Sequence, residues 1–196
     1  MKELLIATGN KGKFAEIKEL LQDTIGYFYS PEDFPDFPEV LEDGETFAEN
    51  AIKKGQSAAR ATGKPVIADD SGLEVDALDG RPGVYSARFS GENATDATNN
   101  TKLITEITPL PEEKRTAAFR CVVALCLPDG NCHTFTGSLQ GILVTEPRGD
   151  GGFGYDPLFL VPEYGQTLAE LPMEVKNVIS HRGKALSKLK EFLNGS

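Results

Sequence analysis

The chain lacks any apolar stretch near the length of a membrane span, and its N-terminus lacks the pattern of a secretory signal. Together these absences predict a cytoplasmic protein that does not work on a membrane. It also lacks a basic excess: 20 Lys and Arg stand against 30 Asp and Glu, a formal net charge of −10. A nucleic-acid duplex is held mainly by a basic face, so this balance argues against such a partner. A free nucleotide is not excluded, because a few lysines and one Mg²⁺ can neutralise its phosphates locally. Cysteine is scarce, and no CxxC spacing occurs. Cys121 and Cys126 share an apolar run at an odd spacing, which puts them on opposite faces of a strand. Cys132 follows the turn Pro128-Asp129-Gly130, beside His133. Three thiols cannot all pair; reduced, packed thiols are expected ahead of a zinc site from Cys126, Cys132 and His133. No linker, repeat or low-complexity run divides the 196 residues. That length holds one sizeable core, or barely two, and one domain over residues 1–196 is expected.

What the chain does contain is led by Ala68-Asp69-Asp70-Ser71-Gly72, two adjacent carboxylates after the apolar run Pro65-Val66-Ile67-Ala68. The run reads as a buried strand ending at the carboxylates. Buried carboxylates are costly to ionise unless a cation or donors meet them, so the pair points to a divalent metal or a general base. Consecutive strand residues face opposite ways, which would give Asp69 and Asp70 different tasks. Asp-Asp-Ser-Gly reads equally well as a turn.

Four further segments bear on that choice. Leu4-Leu5-Ile6-Ala7 runs into Thr8-Gly9-Asn10-Lys11-Gly12-Lys13 and then a helix with Phe14, Ile17, Leu20 and Leu21 on one face. Strand, glycine loop and helix can offer backbone N–H groups to phosphate. Walker A spacing is absent, and glycine there also serves simply to turn the chain. Gly151-Gly152-Phe153-Gly154-Tyr155-Asp156-Pro157 joins permissive backbone to flat apolar rings, one of which could stack on a base or pack in the core. Ser180-His181-Arg182-Gly183 opens a last helix, with Ser180 as the expected N-cap. Cations at a helix start oppose the macrodipole, which hints at a task for His181 and Arg182 unless that turn is simply solvated. Thr46 and Glu49 form a capping box for a helix that carries Lys53 and Lys54, with Glu42 in the acidic loop before it.

Strands are expected over 3–8, 26–30, 65–68, 117–127, 131–137 and 158–161, and helices over 13–22, 46–62, 96–107 and 182–194. Their order predicts an α/β protein, a mixed sheet flanked by helices, with one hairpin turning at Pro128-Asp129-Gly130. Asp96 to Asn100 carries few apolar residues for a helix start.

Taken together and in order, these segments resemble the inosine triphosphate pyrophosphatase family, enzymes that hydrolyse non-canonical purine nucleoside triphosphates such as ITP, dITP and XTP. The matching motifs are Thr8-Gly9-Asn10 with Lys13, Thr46-Phe47 through Asn50-Ala51 with Lys54, and Ala68-Asp69-Asp70-Ser71-Gly72-Leu73. Pro82-Gly83-Val84-Tyr85-Ser86-Ala87-Arg88, Gly151 to Pro157 and Ser180-His181-Arg182-Gly183 complete the set. The resemblance implies an elongated fold with a central cleft, and a homodimer. It implies that Thr8, Gly9, Asn10, Lys11, Gly12, Lys13 and Lys54 meet the substrate's phosphates and that Ser71, Gly154 and Tyr155 also bind the substrate. Glu42 and Asp70 would hold Mg²⁺, and Asp70, with Asp69, would take the proton of water attacking between the α and β phosphorus atoms. Phe153, Asp156, Lys176, His181 and Arg182 would select the base, with Phe153 stacking. Arg182 is donor-only, as is charged Lys176; both suit the C6 oxygen of hypoxanthine or xanthine and disfavour the adenine amino group. A nucleotide sensor would not need Glu42, Asp69 and Asp70 together. An aspartyl-phosphate phosphatase would want Asp-x-Asp rather than adjacent carboxylates.

Overall fold

Leu4, Leu5 and Ile6 are all fully buried, so strand β1 (Glu3–Ile6) is covered on both faces, as its unbroken apolar run requires. In the computed structural model, which describes residues 1–195, it lies inside a seven-stranded sheet. The other strands are β2 (Tyr27–Tyr29), β3 (Val66–Val75), β4 (Thr116–Cys126), β5 (Cys132–Leu143), β6 (Phe159–Val161) and β7 (Gln166–Thr167). The order is β2-β1-β3-β4-β5-β6-β7. β1 runs parallel to β2 and β3, while β6 is antiparallel to β5 and β7, so the sheet is mixed as expected. The helices are α1 (Lys11–Leu21), α2 (Phe47–Thr62), α3 (Asp96–Ile107), α4 (Met173–Ile179) and α5 (His181–Asn194).

Two compact units share these elements. The first takes residues 1–70, 121–137 and the chain from 181 onward. One apolar cluster in it joins Leu4, Ile6, Ile67 and Val123 to Ile17, Leu21, Leu186 and Leu189 of α1 and α5. Another joins Leu5, Val66, Ala124 and Cys126 to the small face of α2, Ala51, Ala58 and Ala59. Gly55 belongs to that small face: a Cβ there would stand 2.7 Å from the Cys126 Sγ. The second unit takes residues 71–120 and 138–180, around Leu73, Val75, Leu103, Ile107, Phe119, Leu158 and Phe159.

Local chemistry sets the element ends. Thr46 and Glu49 make the expected capping box of α2, and Gly63 closes that helix at φ 67°. Asn10 Oδ1 accepts from the Lys13 N–H, so α1 begins two residues before the expected start at 13.

Three expectations are corrected. β3 does not end at Asp69-Asp70 but runs through them to Val75, and no turn forms there; the cations described below meet the carboxylates within the sheet. Cys126 and Cys132 are not separate thiols. The β4–β5 hairpin sets them opposite each other, Cα atoms 4.2 Å apart, and they form a disulfide, leaving Cys121 as the free cysteine. The segment before Ser180 is a helix, α4, that the sequence did not predict. Ser180 itself stands in extended backbone directly before α5, at the expected N-cap position, and His181 and Arg182 are buried, which rules out the solvated alternative.

Candidate active site

In the first unit, β3 carries Asp69 and Asp70 to different partners. Asp69 Oδ2 lies 3.1 Å from Lys13 Nζ and 3.1 Å from Arg182 Nη2. Arg182 also donates through Nη1 to Glu16 of α1, and all three of Glu16, Asp69 and Arg182 are buried. Burial alone would push the Asp69 carboxyl up; the charges of Lys13, Arg182 and Lys54 outweigh it and hold that group well below the usual carboxylate range. Arg182 is correspondingly raised: burial would lower it, and the Asp69 charge prevails.

Asp70 takes its partners from α2. Its Oδ2 accepts from Asn50 Nδ2 at 2.9 Å, and its Oδ1 stands 3.9 Å from Lys54 Nζ. Lys54 also reaches Glu42 at 3.3 Å and donates to the Asp69 backbone carbonyl at 2.7 Å. Burial raises the Asp70 carboxyl above its ordinary value, against the opposing pull of Lys54 and Asn50. Two adjacent carboxylates thus have opposite tendencies: Asp69 is held as an anion, and Asp70 binds a proton more readily.

Thr8, Gly9, Asn10, Lys11 and Gly12 form the loop and first turn that present Lys13. Thr8 Oγ1 accepts from the Asn10 N–H at 3.2 Å, and Gly9, Asn10 and Lys11 are exposed. His181 begins α5 beside Arg182, and its backbone comes close to β5 at Gly137, where a Cβ would lie 2.0 Å from the His181 carbonyl oxygen. Any side chain at 137 would push that helix start away.

The oxygen set of Glu42 and Asp70, two carboxylates sharing one lysine, fits Mg²⁺, which usually takes one or two carboxylates and completes its shell with water and phosphate oxygens. Among the described residues no group of three or more His, Cys, Asp or Glu is placed to hold a metal alone.

In the second unit the loop 151–157 is tied by Asp156. Its Oδ2 accepts from the Phe153 N–H at 3.0 Å and from Lys176 Nζ at 2.7 Å. Lys176 Nζ stands 5.0 Å from the Phe153 ring centroid, over its face. Gly152 has φ 73°, and a Cβ on it would meet Asp156 Oδ2 at 2.2 Å, so this loop needs glycine there. Tyr155 Oη donates to the Ser86 carbonyl at 2.7 Å; burial, then Asp96, raises its phenol. Ser71 is half-buried on β3, next to Asp70.

Sequence reasoning missed Glu16 and Asn50. Glu16 stands one helical turn after Lys13, and Asn50 one turn before Lys54, so both share a helix face with an expected site lysine. That spacing was a usable signal.

The Ham1 family model matches residues 4–192. A dITP/XTP pyrophosphatase of Geobacter sulfurreducens is 61% identical over 98% of this chain and 97% of its own length. One from Desulforamulus reducens is 58% identical over 98% and 96%. The solved structure of a HAM1 protein from Coxiella burnetii is 42% identical, with a TM-score of 0.89 over the whole of both chains. The Staphylococcus aureus Ham1 protein is 43% identical, with a TM-score of 0.87 over 99% of each. By sequence and by fold, the chain belongs to the Ham1 family.

Proposed function

We propose that this chain hydrolyses ITP, dITP and XTP to nucleoside monophosphate and pyrophosphate, clearing deaminated purines from the nucleotide pool. The observation that carries the proposal is the sorting of Asp69 and Asp70 into two partner sets: Lys13 and Arg182 around one, Asn50, Lys54 and Glu42 around the other. The second support is that the two relatives named above are dITP/XTP pyrophosphatases.

Phosphoryl transfer needs mostly positioning and charge stabilisation. Lys13, Lys54 and the N–H groups of the loop 8–13 supply charge and donors for the phosphates. Glu42 and Asp70 would hold Mg²⁺, which when bound draws charge from the phosphate oxygens. Asp70, the more readily protonated of the two carboxylates, accepts the proton of the attacking water. Asp69 fixes Lys13 as an ion pair. Phe153 stacks on the base, and Lys176, held by Asp156, donates to its C6 oxygen. Arg182 and His181 are assigned to base recognition on the family resemblance; the guanidinium is also bound to Asp69 and Glu16. A homodimer belongs to the same proposal and rests on that resemblance; a cytoplasmic location belongs to it as well.

A panel of nucleoside triphosphates with Mg²⁺, followed by phosphorus NMR of the products, tests the activity. ITP, dITP and XTP should yield pyrophosphate, with ATP and GTP turned over poorly. Orthophosphate as the first product, or equal rates on ATP and ITP, would refute it. Light scattering at micromolar concentration tests the dimer.

A further inference from the structure

The first turn of α3 is polar where a helix packed only by its core face would not be. Its side chains are spent on the loops around it. Asn99, buried, accepts from the Ser90 N–H at 2.8 Å and donates to the Ala87 carbonyl at 3.1 Å. The neighbours Asp96 and Asn100 act elsewhere. Asp96 Oδ2 accepts from the Gly154 N–H at 2.7 Å, and Asn100 Nδ2 donates to the Gly154 carbonyl at 2.9 Å. Four residues apart on a helix, the two side chains stand side by side, so one helix face grips the N–H and the C=O of one glycine.

Gly154 lies at φ 61° in a loop with Gly151 and Gly152, a stretch whose backbone would otherwise be loose. The Phe153 N–H is held by Asp156 on one side. Gly154, on the other side, is held by α3. The Phe153 Cα is therefore bracketed by two fixed peptide groups. Asn100 has a cost that core packing does not explain: its Oδ1 is buried without a hydrogen-bond partner, and turning the amide over would set that oxygen against the Gly154 carbonyl.

We propose that Asn100, together with Asp96, is a positioning residue for base recognition, clamping Gly154 so that the Phe153 ring is pre-set to stack on a purine. This rests on the proposed base site. Stacking on the base lies away from the reacting phosphorus, so losing the clamp removes binding that ground state and transition state share: KM rises while kcat holds. A residue that only stabilised the fold would lower the active fraction, so kcat would fall and KM would not move.

The test is steady-state kinetics on ITP for Asn100→Ala, Asp96→Ala, Asp96→Asn and Phe153→Ala, with tripolyphosphate as a competitive inhibitor that has no base. Asn100→Ala and Asp96→Ala should each raise KM about tenfold with kcat within about twofold. Asp96→Asn keeps an acceptor for the Gly154 N–H and should restore KM. The inhibition constant of tripolyphosphate should not change. In a Phe153→Ala background, Asn100→Ala should add less than about twofold, because its effect runs through that ring. A fall in kcat at constant KM, a weaker tripolyphosphate, or full additivity with Phe153→Ala would overturn the proposal. If Phe153→Ala raises KM and Asn100→Ala does not, the base site stands and the clamp alone falls. If Phe153→Ala leaves KM unchanged, stacking at Phe153 is refuted and the clamp with it. Should Asn100→Ala fail to fold, the Asp96→Ala and Asp96→Asn pair decides alone.

Discussion

At the scale of single residues, Asp69 and Asp70 differ more than their adjacency suggests, and the difference fixes the sign of two substitutions. Asp69 is depressed in the folded state, so its ionic contribution is complete above the ordinary carboxylate value of about 4 and fades as pH falls below it. Asp69→Asn leaves Arg182 and Glu16 buried without their third member and should cost roughly 3–5 kcal/mol. Thermal melts at pH 7 and pH 3 measure this, and the deficit should shrink at the lower pH. Asp70 has the opposite sign: its raised value contributes stability at low pH that is lost as pH climbs through it. Asp70→Asn, in EDTA, should therefore melt no lower than wild type at pH 7, with the difference vanishing near pH 4, while turnover with Mg²⁺ falls roughly 10²–10⁴-fold. A strongly destabilised Asp70→Asn would mean that the carboxylate is structural, and retained turnover would remove it from the chemistry.

At the scale of elements, packing between α2 and β4 sets a second contest of signs. Alanine at position 55 gains roughly 0.5–1 kcal/mol of helix propensity over glycine. Its Cβ would press within 2.7 Å of a disulfide sulfur that cannot swing away, and overpacking of that kind costs about 1–3 kcal/mol. Gly55→Ala should thus destabilise, as chemical denaturation would show; a rise in stability would mean that the helix rides higher on the strand than described. The hairpin beneath it gives a simple count. Denatured without reductant, the chain should react as a single thiol, Cys121, which burial pushes up to about 12 in the folded protein and so leaves inert there. Three reactive thiols would restore the expectation of reduced cysteines. These elements also show what was legible. Periodicity found the helices other than α4 and the strands other than β7, and the capping box at Thr46 and Glu49 placed the start of α2 to within one residue. The interior course of β3 was not legible, because Asp-Asp-Ser-Gly has turn propensity, whereas here the strand is paired within the sheet and cations meet its carboxylates. The cysteine pairing is not legible from number and spacing, since three thiols without CxxC point to reduced cysteines; the hairpin register decides it. The type of sheet followed from the order of the elements and the family from motifs in order. Glu16 and Asn50 were within reach of helical spacing from Lys13 and Lys54, whereas Asn100 acts through Gly154, distant in sequence.

At the scale of the whole molecule, charge decides how a triphosphate can be received. The chain carries a formal −10, and its first unit adds no local excess of positive charge. Lys13, Lys54 and Arg182 are interlocked with Glu16, Glu42, Asp69 and Asp70, three cations against four carboxylates. A polyanion brought to that set meets a balance that is already negative. Unit charges about 4 Å apart interact by about 4 kcal/mol at an effective dielectric of 20, so one divalent cation at Glu42 and Asp70 is enough to reverse the sign. Mg²⁺ should accordingly be needed for binding and not for turnover alone. Calorimetry with an ITP analogue that cannot be cleaved between the α and β phosphorus atoms should show affinity at least tenfold weaker in EDTA, about 1.4 kcal/mol or more. Asp70→Asn separates charge from coordination. It should bind the analogue more weakly than wild type in Mg²⁺, having lost a ligand, and more tightly than wild type in EDTA, having lost a repelling charge. The same order of affinities under both conditions would mean that Asp70 neither holds the ion nor faces the phosphates.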